Sequence, residues 1–191
     1  MRRMRRGLFG GRRARRILGP ILHPALQRLR LAHACREAGD YLLAAHEFHN
    51  LAERGKAEGI PRSVQMYVLA GQCFLLAGQR DRGLSDLRRS LEAAARFGQL
   101  PRLAASAPRI AAELRGMGLD QEADAFLKML ESAGQKPQAA QPSSSLVPNL
   151  PRLPPKCPSC GGTIHPGEAE WVDPQSIVCD YCGSVVQAAQ G

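Results

Sequence analysis

At 191 residues, 44% of them apolar and 23% charged, the chain has room for one helical domain and a small second module. No apolar run is long enough to span a bilayer; the best, Ile17–Leu22, is broken by Gly19 and Pro20. The net charge of +9 is unevenly placed, with eight arginines and no acid in residues 1–24, fifteen bases against thirteen acids in 25–132, and four acids without a base in 157–191.

Residues 1–24 form an arginine-rich arm containing Arg2, Arg3, Arg5, Arg6, Arg12, Arg13, Arg15 and Arg16. Three readings stand side by side. Charge runs are commonly solvated tails. Leu8, Phe9, Ile17, Leu18, Ile21 and Leu22 among the arginines also suit an anionic membrane surface, where each Arg is worth about 1 kcal/mol. Guanidinium forks suit nucleic-acid phosphates too, but no aromatic interleaving supports base stacking. Anion or membrane contact through these eight arginines is therefore one expectation.

Between residues 25 and 132 the chain repeats itself. Superimposing Gly39, Gly78 and Gly118 aligns three segments that begin near Ala25, Val64 and Ala104. Each reads as a helix, a tight turn and a second helix. In register, first helices place Leu31-Ala32 with Cys35, Ala70-Gly71 with Phe74, and Ile110-Ala111 with Leu114. Second helices place Ala44, Gly83 and Ala123 ahead of Phe48, Leu87 and Leu127. Small residues recur where helices must approach closely, and large ones where the gap must be filled. Pro61 and Pro101 precede the second and third units as helix starters, while Pro108 is expected to make the third unit's first helix begin late or kink. Cys35 and Cys73 are expected as small buried residues.

This pattern of a small pair, a large residue, a turn glycine, an alanine and a large apolar residue resembles the tetratricopeptide repeat family, over about residues 25–132. The spacings exceed that family's usual period of about 34, which calls for longer helices or joints. The resemblance implies a stacked array whose first helices line a concave, peptide-binding face. On that register Leu29, His33, Arg36, Val68, Gln72 and Leu75 are expected to be partner-binding positions on that face; the competing reading is that long apolar side chains there are core, or that the arm or the ribbon covers them. An ordinary helical bundle is the alternative.

Residues 133–156 carry Pro137, Pro142, Pro148, Pro151, Pro154 and Pro155 among Gln and Ser, the composition of an extended linker. Beyond it stand two C-x2-C-G pairs, Cys157/Cys160 and Cys179/Cys182, with residues 161–178 between them. That spacing is similar to zinc ribbons. A hairpin brings four thiolates round one structural Zn²⁺, and the glycine after each pair permits the tight knuckle. Two disulfides, or one iron ion, are the competing uses of the same cysteines. Trp171-Val172, Ser176–Val178 and Val185-Val186 are β-prone, with Asp173-Pro174 as turn material, so the ribbon is assigned to residues 157–187. Its lack of bases makes nucleic acid a poor partner for it.

The chain offers little for catalysis. His46-Glu47-Phe48-His49 is one residue short of a metalloprotease helix, and His46 and Glu47 are expected on its solvated face. No Walker A loop, dinucleotide fingerprint or nucleophile elbow occurs. The expectation is a mainly α protein of three tetratricopeptide-like repeats, a linker and a small β zinc ribbon. It would act in the cytoplasm, without enzymatic activity, as an adaptor binding proteins or peptides. The alternative is association with nucleic acid or an anionic membrane, peripherally, through the arm.

Overall fold

The computed structural model describes residues 24–134, 151–167 and 169–188. The arginine arm before Pro24 and linker residues 135–150 lie outside the described residues, and so do the expectations placed on them. Six helices run in three antiparallel pairs: α1 (Pro24–Glu37) with α2 (Tyr41–Ala57), α3 (Ser63–Leu76) with α4 (Arg80–Arg96), and α5 (Leu100–Gly116) with α6 (Asp120–Ser132). No described helix is long and apolar enough to cross a membrane.

The helix ends share one device. Gly39, Gly59, Gly78, Gly98, Gly118 and Gly134 all take positive φ, between 67° and 83°, the left-handed conformation that glycine adopts without a Cβ penalty. The residue after the glycine donates its N–H five residues back, as in Asp40 N to Cys35 O (2.9 Å), Gln79 N to Phe74 O (2.8 Å) and Leu119 N to Leu114 O (3.0 Å). These bonds satisfy carbonyls that the ending helix orphans. The repeat glycines at 39, 78 and 118 thus turn the chain within each pair, and those at 59 and 98 turn it between pairs.

Small residues set how closely the helices lie. A Cβ added at Gly71 of α3 would stand 2.9 Å from Leu87 Cγ and 3.0 Å from Gly83 O, and one at Gly83 of α4 would stand 2.6 Å from Leu75 Cγ. The two glycines therefore face each other at the α3/α4 crossing, with Leu75 and Leu87 packed beside them. Phe48, Tyr67, Phe74, Leu114, Phe126 and Leu130 fill the remaining core, and Cys35 and Cys73 are buried as expected.

One expectation is corrected. Pro108 does not make its helix begin late, because α5 runs from Leu100 to Gly116 with Pro108 inside it. The missing Pro N–H costs one rung of the ladder; Pro101 in the first turn supplies a preset φ at the start.

The C-terminal module is a three-stranded antiparallel sheet of β1 (Glu170–Asp173), β2 (Ser176–Val178) and β3 (Val185–Gln187) in the order β1-β2-β3. Trp171, Ile177 and Val186 stand across from one another in register; Ile177 and Val186 are buried. Asp173 Oδ1 accepts from Gln175 N at 2.8 Å and closes the β1–β2 turn. The ribbon's buried residues join the helical core in one cluster, so the small module sits on the helices.

Candidate metal centre and its docking face

Two knuckles built alike form the site. In the first, Gly161 N donates to Cys157 O (2.8 Å) and Cys157 N to Gly162 O (2.8 Å); in the second, Gly183 N donates to Cys179 O (2.9 Å) and Cys179 N to Ser184 O (2.9 Å). Both turns pass through glycine at positive φ, 81° at Gly161 and 75° at Gly183. The knuckles bring the four cysteine Sγ atoms within 4.8 Å of one another. These are the cysteines that the spacing singles out, and they can hold a metal ion.

The donor geometry fits a tetrahedral ion. Cys157 and Cys182 Sγ lie 3.7 Å apart, as do Cys160 and Cys179 Sγ. A tetrahedron with metal–sulfur bonds of about 2.3 Å has edges of about 3.8 Å, while a disulfide needs about 2.05 Å. All six cysteines of the chain are free thiols. Donors surround the sulfurs: Gly162 N points at Cys160 Sγ (3.5 Å), and the Ser184 hydroxyl lies 3.3 Å from Cys182 Sγ. Contacts with Cys160 and then Cys179 hold the Cys182 thiol below its ordinary range, while contacts with Cys179 and Cys182, and then burial, push Cys160 above it. Ligation needs deprotonated thiols, so a cation at the centre would favour the thiolate form of all four.

The knuckles also face the helices. Tyr181 meets His33 of α1 edge to face at 5.1 Å, and His33 in turn meets Phe48 of α2 edge to face at 5.1 Å. A Cβ at Gly162 would overlap the Tyr181 ring and reach His33 Nε2, and one at Gly183 would stand 2.7 Å from Arg62 Cζ. Gly183 therefore serves docking as well as its knuckle turn, whereas in the first knuckle Gly161 makes the turn and Gly162 beside it takes the close approach. Arg30 of α1 donates to the carbonyl of Ser159, and Arg102 of α5 pairs with Asp180 and, at 3.7 Å, with Glu170. Lys156 pairs with Glu37 at 2.7 Å. An acidic ribbon is thus gripped by arginines at the starts of units and on first helices. A cleft of about 540 Å³ remains between ribbon and helices, walled by Leu26, Leu29, Ile60 and Met66 on one side and Tyr181 and Cys182 on the other.

The ribbon lies on the face assigned to partner binding, the covered alternative. Leu29, His33, Val68, Gln72 and Leu75 are buried, and Arg36 is half-buried. Leu75 packs on Gly83 inside the α3/α4 contact. Gln72 donates from Nε2 to Glu113 Oε2 at 3.0 Å, and Arg109 holds the other oxygen of Glu113 at 2.6 Å. His33 is the position of the six with the clearest docking role, and its occupant is the ribbon. Its Nε2 is buried with no hydrogen-bond partner among the described residues. Burial first, and then the nearby Arg36 charge, pull its pKa down to about 4.

Sequence reasoning missed Arg30, Arg62 and Arg102. The signal that could have found them is the ribbon's own charge: four acids and no base in a module needing a partner surface. His165 is half-buried and lies outside the four-cysteine cluster. His46 is exposed and Glu47 half-buried on α2, and His46 packs edge-on against Phe74 at 5.2 Å. Comparison with protein-family models, with curated proteins and with solved structures finds no match to this chain.

Proposed function

We propose that this chain is a non-enzymatic protein-interaction adaptor, in which tetratricopeptide-like helical repeats recognise polypeptide on their first helices and a zinc ribbon is a structural module bound to that face. The carrying observation is the ribbon's docking: Arg30, His33, Arg62 and Arg102, drawn from all three units, already grip a folded acidic polypeptide in cis. A surface that holds an acidic, aromatic-bearing segment of its own chain has the chemistry to hold one from a partner, in competition with the ribbon or beside it.

Zinc is the proposed ion because four thiolates in a tetrahedron suit it and leave no coordination position for substrate. The metal would be held by Cys157, Cys160, Cys179 and Cys182, and its contribution would be to the folding of the ribbon. Free thiols and thiolate ligation fit a reducing, cytoplasmic setting.

The test is affinity purification from native cells with the wild-type chain and with Arg102→Ala/Tyr181→Ala, which weakens ribbon docking. Each recovered protein would then be titrated in purified form. A purified partner whose affinity changes when the ribbon is loosened supports the reading. If every recovered protein binds both forms and an unrelated bait equally, the adaptor reading fails.

A further inference from the structure

A second cavity, of about 330 Å³, lies between α2 and α4, and no ribbon residue lines it. Its walls come from two rows at helical spacing: His46 and His49 on α2, and Arg82, Ser85 and Arg89 on α4. Residues three, four and seven apart share one helix face, so five polar side chains converge on one space. Phe74 of α3 completes the lining.

The single carboxylate in the lining is already engaged. Asp86 is 2% exposed, and its two oxygens lie 3.1 and 3.0 Å from His49 Nδ1. An ionised carboxylate only accepts, so Nδ1 carries the proton, and Nε2 of the neutral ring is an acceptor; His49 is spent on Asp86 and leaves no donor for an anion. Arg89 is oriented by Glu53 at 2.6 Å and stands 4.0 Å from Asp86. A guanidinium has five donors, so these contacts fix its place without exhausting it. Arg82 donates to Gln79 Oε1 at 3.1 Å and lies over the Phe74 ring, 5.9 Å from its centroid.

Phe74 orders His46 and Arg82 on one side of the cavity, and Glu53 and Asp86 order Arg89 on the other, with Ser85 exposed beside them. A cation does not suit the site, because its free walls are donors and the four cysteines are the one cluster of at least three metal-ligating groups among the described residues. Two guanidiniums, a hydroxyl and the His46 imidazole instead match a tetrahedral oxyanion, for which planar forks and charge-assisted hydrogen bonds are the strong recognition elements. We propose that the cavity between α2 and α4 binds a small phosphate-bearing anion, held by Arg82, Arg89 and Ser85 with His46.

The experiment titrates the full chain with inorganic phosphate and, separately, with O-phosphoserine, by calorimetry and by phosphorus NMR. The expected result is saturable binding of one anion per cavity, weakened about tenfold or more in Arg82→Gln and in His46→Ala, as expected for loss of a charge-assisted contact, and unchanged in Arg115→Gln on α5, outside the cavity lining. Tighter binding of phosphoserine identifies a phosphate ester as the ligand, and tighter binding of inorganic phosphate identifies the free anion; either supports the site. Ser85→Asp keeps the packing, since Ser85 is exposed, and should abolish binding by charge even if a truncation disturbs the helix. Absence of saturable binding overturns the proposal. So does binding of equal strength in Arg82→Gln, His46→Ala and Ser85→Asp, which would assign the phosphate to the arginines of residues 1–24.

Discussion

His33 of α1 and Tyr181 of the second cysteine knuckle, 148 positions apart in the chain, meet edge to face with ring centroids 5.1 Å apart. Through this pair the metal module and the helical repeats become one packed body. Tyr181 is half-buried, and its phenol is pushed up to about 12, with burial the leading cause. Removing the ring in Tyr181→Ala should cost about 2 kcal/mol of docking, from lost apolar burial and the aromatic contact. Faster amide exchange in α1, with α6 unchanged, is the expected reading.

Acid should act on the same contact. His33 sits at about 4 against an ordinary 6.5, so between those values the unfolded chain binds a proton that the folded chain refuses. Stability is then fully present above about 6.5 and is lost as pH falls toward 4, by on the order of 3 kcal/mol at the limit. His33→Phe removes this proton linkage and should flatten the slope of stability over that window. In Tyr181→Ala, the His33 imidazole should titrate closer to 6.5 by NMR. An unchanged slope in His33→Phe would remove His33 from the account.

Metal content is the third prediction. One zinc per chain is expected by elemental analysis, and Cys160→Ser or Cys179→Ser should lose it together with the sheet. Because ribbon and helices share a core cluster, chelation should also lower the helical melting temperature by several degrees. Helices that melt identically with and without metal would show that docking contributes nothing to their stability.

Gly83→Ala tests the close crossing. Alanine in a helix interior is ordinarily better than glycine by about 1 kcal/mol, but here the added methyl would meet Leu75 Cγ at 2.6 Å and Gly71 O at 2.9 Å. Overpacking of that kind costs about 1–3 kcal/mol. The clash should win, and chemical denaturation should show a net loss. Gly116, which has open space around its missing Cβ and lies in the last turn of α5, is the control that should not lose stability through contact.

Gln72→Leu addresses the face assigned to partner binding. Gln72 is 1% exposed and bonded to Glu113, so the change removes a buried polar partner and leaves Glu113 with Arg109 alone. A loss of about 1–2 kcal/mol in stability is expected. An isostable variant would place Gln72 back among surface residues.

The sequence by itself determined whatever is encoded within a few residues. A C-x2-C-G knuckle needs two thiols at fixed spacing and a glycine free to take positive φ, and both are visible in the chain. The same holds for the turns at Gly39, Gly78 and Gly118, and for the small residues at 71 and 83 that permit a close helix crossing. A late helix start at Pro108 is what the sequence suggests, because a proline's local cost is visible in the chain, whereas the burial of Ile110, Ala111 and Leu114 in the packed α5 is not. Only the tertiary structure decided what covers the first helices. Contacts such as Arg30 with Ser159 span 129 positions, and neither partner carries a local mark of the other. Helical register says which residues share a face, but whether that face meets water, a neighbouring helix or the acidic ribbon depends on burial gained across the whole chain.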